Sequence, residues 1–301
     1  MEAWIYIAVA AAAFQTLRFM LQKQLSMGTL STGGATFARF FYSAPIIVTL
    51  ALIYLFWRGA EFPAFSTWFW IYALSGGLAQ ILATWCVVAL FKQRNFAVGI
   101  TFKKTEVLQT ALVGLVVLGD KISTAGFLAI LIGMLGVLVL SETPEAEDES
   151  WAKRVLNKGA GLGLLSGVFF AVSAVGYRGA TLEIVSDDPL LRSSVSLAVV
   201  TLCQTFGMIL WLTWREKGEI TRVAAAWRTA VWMGVTGMAG SLCWFTAFTL
   251  QNAAYVFAVG QVEVIFSLAA SALFFREKIA RKEMIGIALI TASIVYLVVA
   301  G

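Results

Sequence analysis

Six charged residues stand inside long apolar runs of this sequence: Arg18, Arg39, Lys103, Lys104, Glu106 and Glu263. A charge near a bilayer centre costs about 3 kcal/mol on insertion scales, so each needs a reason. Gln15, Arg18 and Gln22 fall at i, i+3 and i+7, one polar stripe on an otherwise apolar helix. In the run Thr101 to Thr110, Lys103, Glu106 and Thr110 share a helical face, with Thr105 and Gln109 beside it. Lys104 falls on another face and has no local partner. The chemistry such residues can do is narrow. Four cations against two carboxylates favour a solute bearing a carboxylate or phosphate. Intramembrane carboxylates can also carry protons, and Glu106 and Glu263 are the two placed to do so. Glu263 is favoured, because Lys103 beside Glu106 would hold that group ionised.

Plainer readings stand beside these. Lys103 and Glu106 can simply neutralise each other. Arg18 and Lys104 can snorkel to an interface instead of facing a cavity. Arg39, near the start of its run, reads as peripheral. Gln80 and Gln261 are further polar residues within apolar runs, and Gln261 and Glu263 lie on different faces. Tyr177, Trp244 and Tyr255 could wall a cavity, as could Trp85, although most membrane aromatics only pack or anchor at interfaces. The chain contains no histidine. That excludes a Ser-His-Asp triad, a His-ligated zinc and an imidazole relay. Cys86, Cys203 and Cys243 sit inside apolar runs and read as small core residues, so neither metal nor cofactor is expected.

The elements that must position these residues follow from composition. The AVILMFWYC set makes up 60% of 301 residues and charged residues only 13%. Soluble domains run at about 25% charged, and a chain this apolar cannot be wetted as a globule. The net charge of +5 comes from basic residues at the ends of apolar runs, which suits lipid headgroups and not nucleic acid. Runs of about 20 apolar residues predict ten spanning helices. They cover 3–22, 34–57, 67–91, 95–118, 122–141, 159–180, 190–214, 229–250, 253–275 and 279–300. The expected fold class is therefore an all-α integral membrane protein.

A charged linker at 142–158 separates 1–141 from 159–301, five spans each. Residues 77–141 align without a gap on 234–298 at an offset of 157, with 11 identities in 65 positions. Polar matches make this repeat hard to dismiss: Glu106 on Glu263, Asn95 on Asn252, Lys121 on Lys278, and Thr84 on Ser241. An odd number of spans per half makes the second half enter the membrane from the opposite side, an inverted repeat with a midplane site.

On these features the chain resembles the EamA family of the drug/metabolite transporter superfamily, in its ten-helix form. That family carries a Glu-Pro … Gly-Glu-Arg stretch from its fourth helix into the following turn. Here it reads Glu106-Val107 … Gly119-Asp120-Lys121, and again Glu263-Val264 … Arg276-Glu277-Lys278. Valine replaces the proline twice, which removes the residue to which a kink would be assigned. The resemblance implies a secondary transporter of small organic metabolites in the bacterial inner membrane, working by alternating access. It also implies a cavity built from the first, third, fourth, sixth, eighth and ninth helices. Amino-acid-like or other carboxylate- or phosphate-bearing solutes are the expected substrates. Residue by residue, Gln15, Arg18, Gln22, Gln80, Lys103, Lys104, Tyr177, Trp244, Tyr255 and Gln261 are the expected substrate contacts. Glu263 and Glu106 are the expected proton sites.

The partners expected are the solute and the bilayer, with no nucleic acid; the oligomeric state stays open. Lys and Arg counts in the connections favour both termini outside the cytoplasm. A channel or a structural membrane protein is the alternative class, and an intramembrane enzyme a weaker one. No Gly-x4-Gly-Lys-Ser/Thr loop is present, so ATP hydrolysis by the chain itself is not expected.

Overall fold

The computed structural model describes residues 2–92, 102–141, 158–266, 269 and 281–300. Among them eleven helices and no strand occur: α1 Ala3–Gly28, α2 Thr32–Arg58, α3 Thr67–Leu90, α4 Glu106–Leu118, α5 Thr124–Ser141, α6 Lys158–Leu182, α7 Pro189–Arg215, α8 Glu219–Ala225, α9 Trp227–Leu250, α10 Ala253–Gly260 and α11 Arg281–Ala300. Six are long and apolar enough to cross a bilayer: α1, α2, α3, α6, α7 and α9. Glu106–Leu118, Thr124–Val139, Ala253–Phe266 and Met284–Val299 are shorter apolar helices. The chain is thus an all-helical, multi-pass membrane protein. The linker at 142–158 lies outside the described residues except for Lys158, as do the 93–101 stretch and Arg276-Glu277-Lys278. The short α8 falls in what the sequence reads as a polar connection. It begins after Gly218, whose φ of 84° suits glycine.

Local chemistry sets where the helices start and stop. Ser31, Ser66 and Asp188 cap α2, α3 and α7, each side chain accepting a backbone N–H of the first turn. Gly59 and Gly119 end α2 and α4 in the left-handed region, at φ 59° and 69°. Asp188 also accepts from the Tyr54 hydroxyl at 2.7 Å and pairs with Arg58 at 3.2 Å. Partial burial pushes its carboxyl up, but the Tyr54 hydroxyl, the Leu191 and Leu190 N–H groups and Arg58 outweigh that and hold it below its usual range.

The polarity of the molecule is inside out. Phe56, Val116 and Trp214 are 90%, 83% and 73% exposed, while the interior is rich in Ala, Gly, Ser and Thr. Lipid is as apolar as leucine, so such helices associate by close approach and not by hiding apolar surface. The most extensive pairings join residues 2–141 to residues 158–300, although α7 also packs on α9 within the second stretch. They are α1 with α9 and α3 with α6; α1 with α10 and α4 with α6; α2 with α9 and α3 with α7; and α2 with α7, α4 with α10, and α5 with α11. The α3–α6 contact is the closest kind, backbone on backbone at Gly76 and Gly176. A Cβ on Gly176 would lie 2.9 Å from both the Gly76 Cα and the Tyr72 carbonyl oxygen.

Polar ties hold the halves at both ends. Arg178 of α6 pairs with Asp120 at 3.1 Å and donates to the Phe248 and Gln251 carbonyls that end α9. At the opposite end the Ser31 N–H donates to Glu219 at 2.6 Å, and the Tyr42 hydroxyl to the Val223 carbonyl. Replacing Gly176 by leucine should force α3 and α6 apart and destabilise the protein by about 1–3 kcal/mol or more. A lowered melting temperature in detergent would register this. Gly28→Ala, at a position with nothing within 4 Å, should melt as the wild type does.

Candidate functional site

Two helices break at corresponding places. Residues 102–103 are helical, Lys104 and Thr105 form a turn, and α4 starts at Glu106. In the second half α10 ends at Gly260, Gln261 is a turn residue, and helix resumes at 262–266. Lys104 and Gln261 are related by the offset of 157 that relates Glu106 to Glu263. Both breaks tighten to i→i−3 bonds, Thr105 N–H to Phe102 O and Gln261 N–H to Ala258 O. Val107 and Val264 show that no proline is needed. Each break leaves a glutamate in the opening turn of the segment beyond it, where the helix dipole favours a negative charge.

Both glutamates are answered by lysines of the first half. Lys103 Nζ lies 3.0 Å from Glu106 Oε1 within the broken helix. Lys104 Nζ lies 3.0 Å from Glu263 Oε2 across the two halves. Lys104 therefore does not snorkel, and Glu263 too has a lysine beside it, which removes the ground for favouring it over Glu106 as the proton site: the contact spans 159 residues and no helical spacing announces it. Gln15 completes the arrangement. Its amide donates to Glu263 at 3.0 Å and its carbonyl accepts from the Trp244 indole at 3.1 Å.

Beside these pairs lies a cavity of about 420 Å³. Its polar wall is Gln15, Arg39, Gln80, Lys103, Glu106, Ser173 and Ser241; its apolar wall is Phe170, Tyr177, Trp244, Phe245, Phe248 and Phe257. A second cavity of about 300 Å³ shares Arg39, Tyr177, Ser241 and Phe245 with it. The rings of Tyr177 and Phe245, with centroids 4.2 Å apart, form part of that common wall.

Arg39 is the residue that sequence reasoning misplaces. It is 7% exposed and stands on the walls of both cavities, not at the periphery. Its guanidinium donates to Thr84 Oγ1 at 3.2 Å and to Ser241 Oγ at 3.0 Å. Gly237 makes room: a Cβ there would lie 3.3 Å from the Arg39 Cγ and 3.2 Å from the Arg18 Cδ. Among the described residues no carboxylate lies within ion-pair distance of Arg39 or Arg18. Each lysine of the core is matched by a glutamate, so the surplus positive charge rests on the two arginines.

The other expected contacts divide. Gln80 and Tyr177 line the cavity and are fixed there, Gln80 by the Ser173 hydroxyl at 2.7 Å and the Tyr177 hydroxyl by the Gln204 amide at 3.1 Å. Trp244 lines it too. Arg18 and Gln22 do not: Arg18 is 2% exposed, donates to Gln22 at 2.8 Å and stacks over the Phe19 ring at 4.0 Å. Gln22 in turn donates to the Ala35 carbonyl. Snorkelling is excluded for Arg18 because its head lies buried against Gln22 and Phe19, although its Nη2 has no hydrogen-bond partner among the described residues. Tyr255 lies outside the cavity walls, its hydroxyl bonded to Ser123 at the start of α5. Gln261 is buried beside Gly133 and Ser293, away from the walls. Trp85 packs edge-on against Trp211. The cysteines are free, with Cys86 buried. Among the sites missed, Ser241 alone left a signal, as the partner of Thr84 in the repeat.

Comparison with known proteins bears on the same architecture. Residues 157–299 match the EamA-like transporter family. One crystal structure of a protein superposes with a TM-score of 0.69 over 97% of this chain and 94% of its own, at 15% identity; the likeness concerns the fold. No curated protein matches the chain.

Lys104→Met should take the lysine from Glu263, to which Gln15 still donates, and cost about 3–5 kcal/mol, the penalty for breaking a buried pair from one side. The double variant Lys104→Met with Glu263→Leu should recover most of that in a detergent melt. Melting of the double variant at or below the single one would show that the pair is not coupled.

Proposed function

We propose, for a chain whose residues 157–299 belong to the EamA-like transporter family of the drug/metabolite transporter superfamily, that it is a secondary transporter of small organic anions. It works in the bacterial cytoplasmic membrane by alternating access, as ten spans in two inverted five-helix halves. The helix pairings support the inverted repeat. Exchanging each helix for its counterpart turns α1 with α9 into α6 with α3. It likewise turns α1 with α10 into α6 with α4, and α2 with α9 into α7 with α3, all of which occur. The pairings α2 with α7, α4 with α10 and α5 with α11 map onto themselves. Broken helices at corresponding points of two inverted halves are how many carriers build a midplane site.

The single observation that carries the substrate class is Arg39. It is a buried guanidinium on the cavity wall, held by neutral hydroxyls and matched by no carboxylate among the described residues. A carboxylate or phosphate would complete it, and Gln80 and Ser173 stand on the same wall to accept or donate further bonds. The phenylalanines and Trp244 suit the apolar body of a small metabolite. Amino-acid-like or other carboxylate- or phosphate-bearing solutes fit this description. Proton coupling, where it operates, runs through Glu263 and Glu106.

Purified protein in liposomes loaded with unlabelled benzoate should take up labelled benzoate by saturable counterflow. A hydrogen bond to a charged group is worth about 1.5–3 kcal/mol, so Arg39→Gln should weaken half-saturation roughly 10–150-fold. Arg39→Lys should retain part of the affinity. Should benzoate give nothing, phenyl phosphate and neutral amino acids test the rest of the class. Linear, unsaturable flux would favour a channel, and no saturable flux with any of the three would overturn the reading.

A further inference from the structure

Among the described residues Arg18, Gln109 and Ser196 each bury one side-chain polar atom without a partner, and Gln261 buries two. It is 3% exposed, and neither the nitrogen nor the oxygen of its amide has a hydrogen-bond partner. Burying an unpaired amide is costly, more so where water is scarce. Its place in the repeat suggests why it is tolerated. Lys104 and Gln261 occupy the same position of the two halves, as do Glu106 and Glu263. In this conformation Lys104 reaches across to Glu263. The reciprocal contact would be Gln261 reaching across to Glu106, and it is not made, since Glu106 is held by Lys103. The helices concerned already touch, α4 packing on α10.

We infer that Gln261 is a positioning residue for the opposite conformation, in which its amide donates to Glu106 while Lys104 parts from Glu263. The inference rests on the inverted-repeat transporter reading, in which the two halves exchange conformations. The orphan amide of one state is then the bonded amide of the other. The two states are not equivalent. Lys103 has Gly260 as its counterpart, so the second half offers Glu263 no lysine of its own helix. Lys103 can stay with Glu106 through the exchange, being only three residues away, and Gln261 then adds a neutral donor to that pair. Lys104 leaves a carboxylate to which the Gln15 amide also donates. Parting this buried pair is the unfavourable step of the exchange. The charged groups around this exchange are Lys103, Lys104 and Glu106 ahead of and within α4, Arg18 on α1 and Glu263 itself.

Two substitutions at Gln261 separate this role from a structural one, because the roles rank them oppositely. Leucine removes the unpaired amide and suits an apolar interior. Lysine restores the reciprocal of Lys104 but buries a charge. A structural residue would tolerate leucine in both stability and transport. The inference expects Gln261→Leu to melt no lower than the wild type yet lose at least tenfold in benzoate counterflow. It expects Gln261→Lys to melt lower yet exchange faster than the leucine variant. Wild-type counterflow from Gln261→Leu would overturn it. A second measurement needs neither transport nor a stable lysine variant. With Cys86, Cys203 and Cys243 replaced by alanine, Glu106→Cys/Gln261→Cys should be joined by a short bifunctional methanethiosulfonate. Failure to join under conditions that join Lys104→Cys/Glu263→Cys would overturn the inference. A wild-type protein silent in counterflow with benzoate, phenyl phosphate and amino acids would instead sink the transporter reading.

Discussion

A lysine and a glutamate from opposite halves meet 3.0 Å apart where little water reaches either. Removing one member leaves the other buried and uncompensated, which is far worse than never having placed the pair. Much of the interior follows from that constraint. Gln15 spends its amide on Glu263 and its carbonyl on Trp244, so the pair fixes the register of α1 against α9 and α10. Lys103 is held by Glu106, and the charge left over is confined to two arginines. Because α1 packs on α9 and α10, the stripe on α1 and the broken helices form one polar seam.

Elsewhere among the described residues the interface combines further polar contacts with close packing of small residues. Small residues let α3 and α6 touch backbone to backbone, and such contacts slide without changing rotamers. Polar ties also stand at the two ends, Arg178 with Asp120 at one and Ser31 with Glu216 and Glu219 at the other. The middle carries the cavity.

Much of this architecture was legible in the residues, and the exceptions have physical causes. Apolar runs marked the long helices because a bilayer demands them. They understated α1, which runs to Gly28, because a helix continues past the point where its surroundings turn polar. They missed α8, whose seven residues lack an apolar period. The i, i+3 pair Lys103–Glu106 was readable from helical spacing, and the i→i−3 turn at the break keeps the two together. Lys104 with Glu263 was not, because only packing brings them together. Arg39 looked peripheral by its distance along the run, but Gly237 on another helix opens the space that draws it inward. The pair Thr84 and Ser241 was visible as a match between halves, and its purpose was not, since one arginine takes both.

Arg39 bonds one hydroxyl from each half, and those two hydroxyls are counterparts of each other. In the proposed inverted repeat, a group bonded to both halves would lie close to the axis that relates them. When such bodies trade places, points near the axis hardly move. An anion held at Arg39 would accordingly stay almost still in the membrane while the aromatic walls around it shift. Transport would then carry the barrier past the solute, and the cost of moving a charge through low dielectric would be borne by neutral rings.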